Sequence, residues 1–305
     1  MNQAFFRLLS LFLMVTIMSG TISNTKADSG KQLPGYFVST EWLVNHLADE
    51  QLRIVQVGGD GFYFQSHIPG AVLLPNNELV TTRDGVPGMR PEPGQMAFVF
   101  GRLGIGNRTK VVAYDASGGM DAARLIWTLH SLGHQQGAVL DGGFPIWLKE
   151  ERVVTNRVSQ PEPATFIPQA IPEFEVNWHQ VEAISENKQP GILLDTRTWR
   201  EYVGITLGSP RGHIGGAVHM DWIDSLVSPK EPLLKPLPEL EAMLAQVGLT
   251  DKRQQVVVYC QTAHRASQTW ILLRHLGYTN VRLYDGSIAE WRMLDLPQVM
   301  GESPR

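Results

Sequence analysis

The chain has 305 residues, of which 43% are hydrophobic and 18% are charged, and its formal net charge is −4. This length suits two domains of ordinary size, and the composition is that of a globular protein. Basic residues are scattered along the chain, which excludes the concentrated basic surface that nucleic-acid binding requires.

The first segment differs from the remainder of the chain. One basic residue, Arg7, precedes an almost continuous apolar run over 8–18, and small residues follow. This order is typical of a secretory signal peptide, residues 1–27, cleaved after Ala27. An uncleaved membrane anchor is the alternative, but the apolar run is short for a span of roughly 20 residues. We therefore expect an exported protein, periplasmic or secreted, with no stable membrane association after cleavage.

Two stretches of the chain carry the same features in the same order. The pairs are the apolar runs Ile54–Val57 and Ile192–Leu194, the H-I-x-G-A motifs at His67 and His213, the segments Val111–Asp115 and Val256–Cys260, the helical patterns from Ala122 and Arg265, and the strand-and-turn segments that end at Trp147 and Trp291. Such recurrence indicates an internal duplication, and two copies predict a pair of domains. Because His67, His213, Asp141 and Asp285 recur in both copies, we expect them to be structural turn or capping residues.

The two copies are separated by a proline-rich segment. Four prolines fall between Val158 and Val176, which favours a semi-extended linker. The predicted boundaries are an N-terminal domain over 28–157, a linker over 158–173 and a C-terminal domain over 174–305.

The strand-like runs are apolar throughout, as in VVAY and VVVY, which is expected of strands covered on both faces. They alternate with helical patterns. The sequence therefore predicts an α/β fold in which each domain is a mostly parallel sheet flanked by helices. Sites in such sheets form beyond the carboxyl ends of the strands, and Cys260 directly follows one of the strand-like runs.

Cys260 is the only cysteine of the chain. A lone cysteine in an exported protein indicates a reactive thiol or intermolecular pairing, and a buried core cysteine is the plain alternative. The residues that follow are small or polar and make a poor core sequence; they are Gln261, Thr262, Ala263 and His264. This context favours a reactive thiol.

Residues 260–265, the Cys260 loop, are suited to holding an anion. If a helix begins near Ala266, backbone N–H groups and the helix dipole give the loop a positive potential, to which Arg265 adds. A thiol at Cys260 is then expected to ionise readily. The same loop would hold an anionic group carried on the sulfur, so the position suits covalent catalysis.

The corresponding segment of the first copy, residues 115–121, is called the Asp115 loop. Asp115 replaces the cysteine, and Arg124 comes too late in the sequence to serve this loop. We therefore expect the first domain to be catalytically silent and to form one wall of a cleft. Weaker candidates for lining that cleft are Arg197, Arg211, Trp199 and Trp222, for which structural roles are favoured.

With these features the chain resembles the two-domain rhodanese family of sulfurtransferases. The resemblance rests on tandem α/β domains with aspartate in the first loop, cysteine in the second and H-I-x-G-A in both. Asp195-Thr-Arg197 followed by Glu201-Tyr202 is also similar to that family. The loop CQTAHR resembles that of bacterial tandem rhodaneses of the thiosulfate type. It differs from the C-G-S-G-x-T of mercaptopyruvate enzymes and from the C-R-x-G-x-T of animal thiosulfate enzymes.

The resemblance implies a thiosulfate sulfurtransferase that works through a Cys260 persulfide and passes sulfur to a thiol, or to cyanide in an assay. It implies no metal or organic cofactor, and a monomer is sufficient. The residues expected to bind the substrate are Gln261, Thr262, Ala263, His264 and Arg265. Three alternatives remain: a 3-mercaptopyruvate donor, a non-catalytic persulfide carrier, and a cysteine phosphatase or arsenate reductase. The last needs C-x-x-x-x-x-R, one residue more than separates Cys260 from Arg265.

We expect the mature chain to begin at Asp28, because the order of basic, apolar and small residues is that of a cleaved signal. N-terminal sequencing of the protein from its native host checks this. Recovery of intact Met1 in the cytoplasmic fraction would contradict it.

Overall fold

The computed structural model describes residues 32–206 and 212–304. The predicted signal peptide with its cleavage site, and Arg211, lie outside these residues and remain predictions. Within the described ranges, no helix combines the length and the apolar character that crossing a membrane requires.

The first half of the chain builds a five-stranded sheet, a separate hairpin and flanking helices. Its strands are β1 (Phe37–Val38), β2 (Leu52–Val57), β3 (Val72–Leu74), β4 (Thr81–Arg83), β5 (Val86–Met89), β6 (Lys110–Tyr114) and β7 (Gly137–Leu140). Its helices are α1 (Thr40–Val44), α2 (Asp60–Tyr63), α3 (Pro93–Arg102), α4 (Met120–Ser131) and α5 (Gly143–Lys149).

The second half repeats this plan. Its strands are β8 (Glu175–Val176), β9 (Ile192–Asp195), β10 (His213–Ile214), β11 (Val218–His219), β12 (Leu226–Ser228), β13 (Glu231–Leu234), β14 (Val256–Tyr259), β15 (Val281–Tyr284) and β16 (Gln298–Val299). Its helices are α6 (Trp178–Ser185), α7 (Trp199–Val203), α8 (Leu237–Gln246), α9 (His264–His275) and α10 (Ser287–Met293).

Both five-stranded sheets are entirely parallel and have the same strand order. The first runs β1-β7-β6-β2-β3 and the second β8-β15-β14-β9-β11. The predicted fold class, two α/β domains with mostly parallel sheets flanked by helices, is confirmed. The central strands are β6 and β14, and the residues that follow them are Asp115 and Cys260.

The central strands are apolar on both sides because both faces of each sheet are covered. Val256 and Val258 pack into a cluster shared by the two halves, whereas Val257 and Tyr259 pack into a cluster of the second half alone. This division follows from the two-residue period of a strand. In the shared cluster α4 and α9 pack against each other and bury Trp270 completely.

The repeated histidines have the structural role that their presence in both halves predicts. Both are fully buried. His67 Nδ1 lies 2.6 Å from the Tyr63 carbonyl, and His213 Nδ1 lies 2.9 Å from the Tyr202 carbonyl. Each imidazole also stacks on that tyrosine ring, at 4.0 and 3.8 Å respectively. The two histidines therefore fix the same local turn twice.

Each half extends a hairpin to the loop of the other half. The β4–β5 hairpin reaches the Cys260 loop, where a Cβ placed on Gly88 would lie 2.6 Å from the Cβ of Thr262. The β12–β13 hairpin reaches the Asp115 loop, where a Cβ on Gly118 would lie 3.0 Å from a methyl group of Leu226. Both glycines have positive φ and allow a close approach of the halves.

Asp141 and Asp285 have a structural role, as their recurrence predicts, and that role extends beyond their own turns. Asp141 Oδ1 accepts the Leu234 N–H at 2.9 Å, and Asp285 Oδ2 accepts the Arg90 N–H at 2.8 Å. Each aspartate thus anchors the hairpin that arrives from the opposite half. The repeat preserves this role because the two halves exchange equivalent elements.

Arg124 also joins the halves. It is fully buried, donates to the Gly88 carbonyl at 3.1 Å and lies 2.7 Å from Asp285 Oδ1. Its guanidinium lies over the Trp127 ring, 4.7 Å from the centroid. Within the described residues, Asp285 Oδ1 and the Nε and Nη1 atoms of Arg124 make no hydrogen bond. The two side chains are therefore held together by opposite charge more than by well-aligned hydrogen bonds. Arg124 therefore stabilises the interface between the halves. This is consistent with its position in the sequence, which is too far from Asp115 to serve the Asp115 loop.

The proline-rich segment is extended and tied to the first half. Residues 156–171 form no helix or strand. The Ala164 N–H donates to the Gly101 carbonyl at 2.9 Å, and the Gln169 N–H donates to the Leu132 carbonyl at 2.8 Å. Phe166 is buried between them. The segment therefore behaves as part of the first half rather than as a free tether.

Asp285→Ala is expected to lower the free energy of unfolding by about 3 kcal/mol, because it leaves Arg124 as a buried charge without its partner. Urea denaturation measures this. Glu241→Ala, which breaks an exposed pair with Lys252, is the control and should cost no more than about 0.5 kcal/mol. Equal decreases in the free energy of unfolding for the two variants would show that the buried pair stabilises the fold no more than the exposed pair does.

Candidate active site

Cys260 lies at the carboxyl edge of the second sheet. Strands β9 and β14 end at the same level, because Tyr259 is paired in register with Asp195. Thr196 then donates its N–H and its hydroxyl to the Tyr259 carbonyl, at 3.0 and 3.1 Å. The Cys260 residue is 1% exposed. The thiol is thus held at the point where this fold builds its sites.

Helix α10 holds the backbone of the Cys260 loop from one side. The Ile288 and Ala289 N–H groups donate to the carbonyls of Cys260 and Gln261, at 3.1 and 3.2 Å. The C=O and N–H of a trans peptide point in opposite directions. The N–H groups of Gln261 and Thr262 therefore point away from α10, towards the inside of the loop.

The loop ends in a left-handed residue. Ala263 precedes α9 with φ +66°, a conformation that costs a non-glycine residue roughly 1 kcal/mol. The helix begins at His264, one residue before the helical pattern that the sequence shows from Arg265 and two before Ala266. His264 and Arg265 therefore lie in the first helical turn. The first-turn N–H groups of Arg265 and Ala266 have no carbonyl of their own helix to bind and suit an anion on Cys260.

Arg265 is clamped by a carboxylate from α7. Its two terminal nitrogens donate to the two oxygens of Glu201, at 2.7 and 3.0 Å. Glu201 also accepts the N–H and hydroxyl of Thr198 in a capping box at the start of α7. Burial alone lowers the pKa of Arg265, but Glu201 and the Cys260 sulfur together raise it. The guanidinium is thus a fixed cation close to the thiol.

The same pair sets the ionisation of the carboxylate. Burial tends to raise the pKa of Glu201, but the hydrogen bonds and charge of Arg265 outweigh it and bring the pKa to about 2 from 4.5. Because the folded value is the lower one, the pair stabilises the fold fully above pH 4.5 and loses its contribution as the pH falls through about 2. Near neutrality the clamp is intact.

The first half closes one side of the site. His264 is half-buried, and burial together with the Arg124 cation lowers its pKa, while Asp121 acts in the opposite direction. Thr262 packs on Gly88 of the β4–β5 hairpin. The first half therefore lines one side of the Cys260 loop.

Arg197 is a structural residue. It is fully buried, and its Nε donates to Asp195 Oδ1 at 2.9 Å while its Nη2 donates to the Gly212 carbonyl at 2.9 Å. Together the bonds to Asp195 and to Gly212 tie the end of β9 to the segment that carries His213.

The two tryptophans differ in position. Trp199 is 44% exposed and packs edge-on against His219, with ring centroids 5.3 Å apart. Trp222 lies against Gly118 of the Asp115 loop, where a Cβ on that glycine would be 3.2 Å from the ring. Trp222 is thus an interface residue.

The Asp115 loop shows what such a loop binds. Asp115 Oδ1 accepts the N–H groups of Ser117 and Gly119, both at 2.8 Å. Its Oδ2 accepts those of Asp121 and Ala122, at 2.8 and 2.9 Å. Four backbone donors thus converge on one carboxylate at the start of α4. The loop of the first half is an anion cradle that its own side chain fills.

Sequence reasoning missed several residues of the site. Glu201 was available from the Thr198-x-x-Glu201 capping-box pattern, and Ser287 from the recurrence of Asp-Gly-Gly and Asp-Gly-Ser after β7 and β15. Gly88 gave no signal, because its role depends on the placement of the two halves. Among the described residues, no cluster of histidine, cysteine or carboxylate side chains is arranged to hold a metal ion.

Asp115→Ala is expected to lower the free energy of unfolding by about 3 kcal/mol, because buried N–H groups lose their acceptor. Sulfate should restore part of that stability by entering the emptied cradle, and thermal denaturation measures both effects. Sodium chloride at matched ionic strength is the control and should restore less. An unchanged denaturation midpoint, or equal rescue by both salts, would show that the cradle does not select anions.

Comparison with known proteins identifies relatives of both domains. Residues 39–150 and 177–294 match the family model described as "Rhodanese-like domain". The structure is similar to that of SseA from Escherichia coli, described as a 3-mercaptopyruvate sulfotransferase with the rhodanese fold. The TM-score is 0.75 and the identity 26%, over 83% of this chain and 98% of that one.

Similar sequences extend over both halves. The chain is 32% identical to the sulfur carrier protein TtuD of Thermus thermophilus, over 88% of this chain and 98% of the relative. It is 30% identical to a thiosulfate sulfurtransferase of Corynebacterium glutamicum, over 89% and 93% of the two chains. It is 33% identical to the mouse thiosulfate sulfurtransferase, over 83% and 91%. The chain therefore belongs to the rhodanese-like family and carries one domain of that family in each half.

Proposed function

We propose that the protein is a sulfurtransferase that moves a sulfane sulfur from thiosulfate to a thiophilic acceptor through a persulfide on Cys260. The observation that carries the proposal is the position of the single thiol. It stands at the head of a loop whose counterpart in the other half holds an anion with four backbone N–H groups. A sulfur atom that becomes an anion on Cys260 finds the same kind of support.

The reaction has two displacement steps. The Cys260 thiolate attacks the outer sulfur of thiosulfate, the sulfur–sulfur bond of the donor breaks, and its electron pair leaves with sulfite. The resulting persulfide carries its negative charge on the outer sulfur, inside the loop. An acceptor, a thiolate in the cell or cyanide in an assay, then attacks that outer sulfur and releases the Cys260 thiolate.

Arg265 supplies the nearest fixed positive charge. Its clamp to Glu201 holds the guanidinium in place before the donor arrives, so less reorganisation accompanies the first step. Gln261, Thr262, Ala263 and His264 contribute chiefly through the loop backbone that surrounds the sulfur.

The donor that we propose is thiosulfate, and 3-mercaptopyruvate is the second candidate. Relatives named thiosulfate sulfurtransferases support the first, and the likeness to SseA favours the second. Arg265 and Arg197 are each paired with a carboxylate of the protein, Glu201 and Asp195. Neither guanidinium is therefore free to bind the carboxylate of 3-mercaptopyruvate with two parallel hydrogen bonds. Steady-state rates with the two donors, at equal concentration and with cyanide as acceptor, test the choice. A larger kcat/KM for 3-mercaptopyruvate would overturn it.

A persulfide carrier without turnover is a further candidate, because one relative is named a sulfur carrier protein. Multiple turnovers with excess donor and acceptor distinguish an enzyme from a carrier. We also propose that the protein works outside the cytoplasm, on the strength of the N-terminal sequence pattern.

Cys260→Ser is expected to abolish sulfur transfer while the fold survives, because serine is close in size but its hydroxyl is a poor nucleophile near neutral pH. Wild-type protein incubated with thiosulfate and no acceptor should gain about 32 Da, one sulfur atom. Cyanide should remove that mass and release thiocyanate. Mass spectrometry and a thiocyanate assay follow the two steps.

Asp115→Ala is the matched control, at the equivalent position of the half without a thiol. Below its denaturation temperature it should retain nearly the full transfer rate. Thiocyanate formed by Cys260→Ser at a rate comparable to the wild type, or a large loss in folded Asp115→Ala, would contradict the assignment of the reaction to the Cys260 loop.

A further inference from the structure

We propose that Ser287 is a positioning residue for Cys260, whose hydroxyl fixes the backbone N–H of Cys260 and so aims the thiol into the loop. This inference rests on the proposed function of Cys260. It deepens that function by assigning a role to a residue 27 positions further along the chain.

Ser287 links β14, β15 and α10 through a single oxygen. It is fully buried at the first position of α10. Its Oγ accepts the Cys260 N–H at 3.2 Å and donates to the Tyr284 carbonyl at 2.9 Å. A hydroxyl has one donor and two acceptor sites, and donation to Tyr284 directs its lone pairs towards Cys260. Both the N–H and the C=O of Cys260 are thereby fixed, the second by Ile288.

The serine side chain is retained at a backbone cost. Ser287 has φ +50°, in the left-handed region that disfavours any residue with a Cβ. Glycine adopts this conformation without strain. A strained residue that is fully buried and makes two hydrogen bonds through its side chain indicates that the side chain itself is needed.

The silent half provides the comparison. Gly143 occupies the equivalent position at the start of α5, with φ +53°. Its neighbour Phe144 donates to the Asp115 carbonyl at 2.9 Å, as Ile288 does to the Cys260 carbonyl. A Cβ on Gly143 would lie 2.5 Å from the Asp115 carbonyl oxygen, so this half has no room for a side chain. The half with the thiol therefore has the strained serine, and the half without it has the relaxed glycine.

Loss of the hydroxyl removes the acceptor of the Cys260 N–H, so the peptide before Cys260 is held only by the two bonds from Thr196 to the Tyr259 carbonyl. The thiol then samples directions outside the cradle, and a thiolate or persulfide meets its N–H donors less often. We expect slower sulfur transfer without a loss of folded structure.

Two substitutions separate positioning from stability. Ser287→Gly removes the hydroxyl and the strain, and Ser287→Ala removes the hydroxyl but keeps the strain. Both should lower kcat with thiosulfate and cyanide by roughly ten- to a hundred-fold, the range expected of a misplaced reacting group. Ser287→Gly should unfold at a higher denaturant concentration than Ser287→Ala. Ser131→Ala, at a buried serine of α4 that donates to the Thr128 carbonyl, is the matched control and should keep wild-type turnover.

The second readout is the rate constant with which iodoacetamide alkylates Cys260 in the folded protein at one fixed pH. Both Ser287 variants should lower this rate constant relative to the wild type and to Ser131→Ala. If Ser287→Gly equals the wild type both in kcat and in its alkylation rate constant, the proposal is overturned.

The two proposals fail in different ways. Absence of thiocyanate formation by the wild type defeats the proposed sulfurtransferase function. The alkylation rate constants still test the positioning of Cys260 in that case, because the thiol is the only one in the chain. If the wild type turns over normally and the Ser287 variants match it in kcat and in alkylation of Cys260, only the positioning role is defeated.

Discussion

Backbone N–H groups that converge beyond the end of a buried strand are the constraint on which this structure depends. They converge because the loop carbonyls are taken up by the next helix, α5 in one half and α10 in the other. Converging donors need negative charge, since buried donors without an acceptor are costly. The first half supplies a carboxylate from Asp115. The second has a thiol at the same place, and a sulfur atom that gains negative charge during transfer satisfies the same donors.

Features that depend on local pattern could be predicted from the sequence. The parallel sheets follow from apolar runs that must be covered on both faces, as in Val256–Tyr259. The duplication follows from motifs that recur in order, and the position of Cys260 follows from its place after a central strand. The loop residues 261–265 follow in turn, because a short connection between a buried strand and a helix leaves little freedom.

Contacts between distant segments were out of reach of such reasoning. The recurrence of Asp285 predicts a structural role but not its partners, Arg90 and Arg124, because these belong to the other half. Sequence periodicity carries no information about how two domains face each other. The exact start of α9 at His264 could not be predicted because Ala263 takes a left-handed conformation, which alanine seldom adopts and which no propensity scale anticipates.

The exchanged hairpins make the two copies interdependent in evolution. A deletion that removed the first copy would uncover Thr262, which packs on Gly88, and would leave Asp285 with neither of its basic partners. The copy that lacks a thiol is thus comparable to the second subunit of a dimer, joined by a peptide instead of by association. Its shape is needed whether or not it takes part in chemistry, and the carboxylate of Asp115 satisfies the N–H groups of its loop.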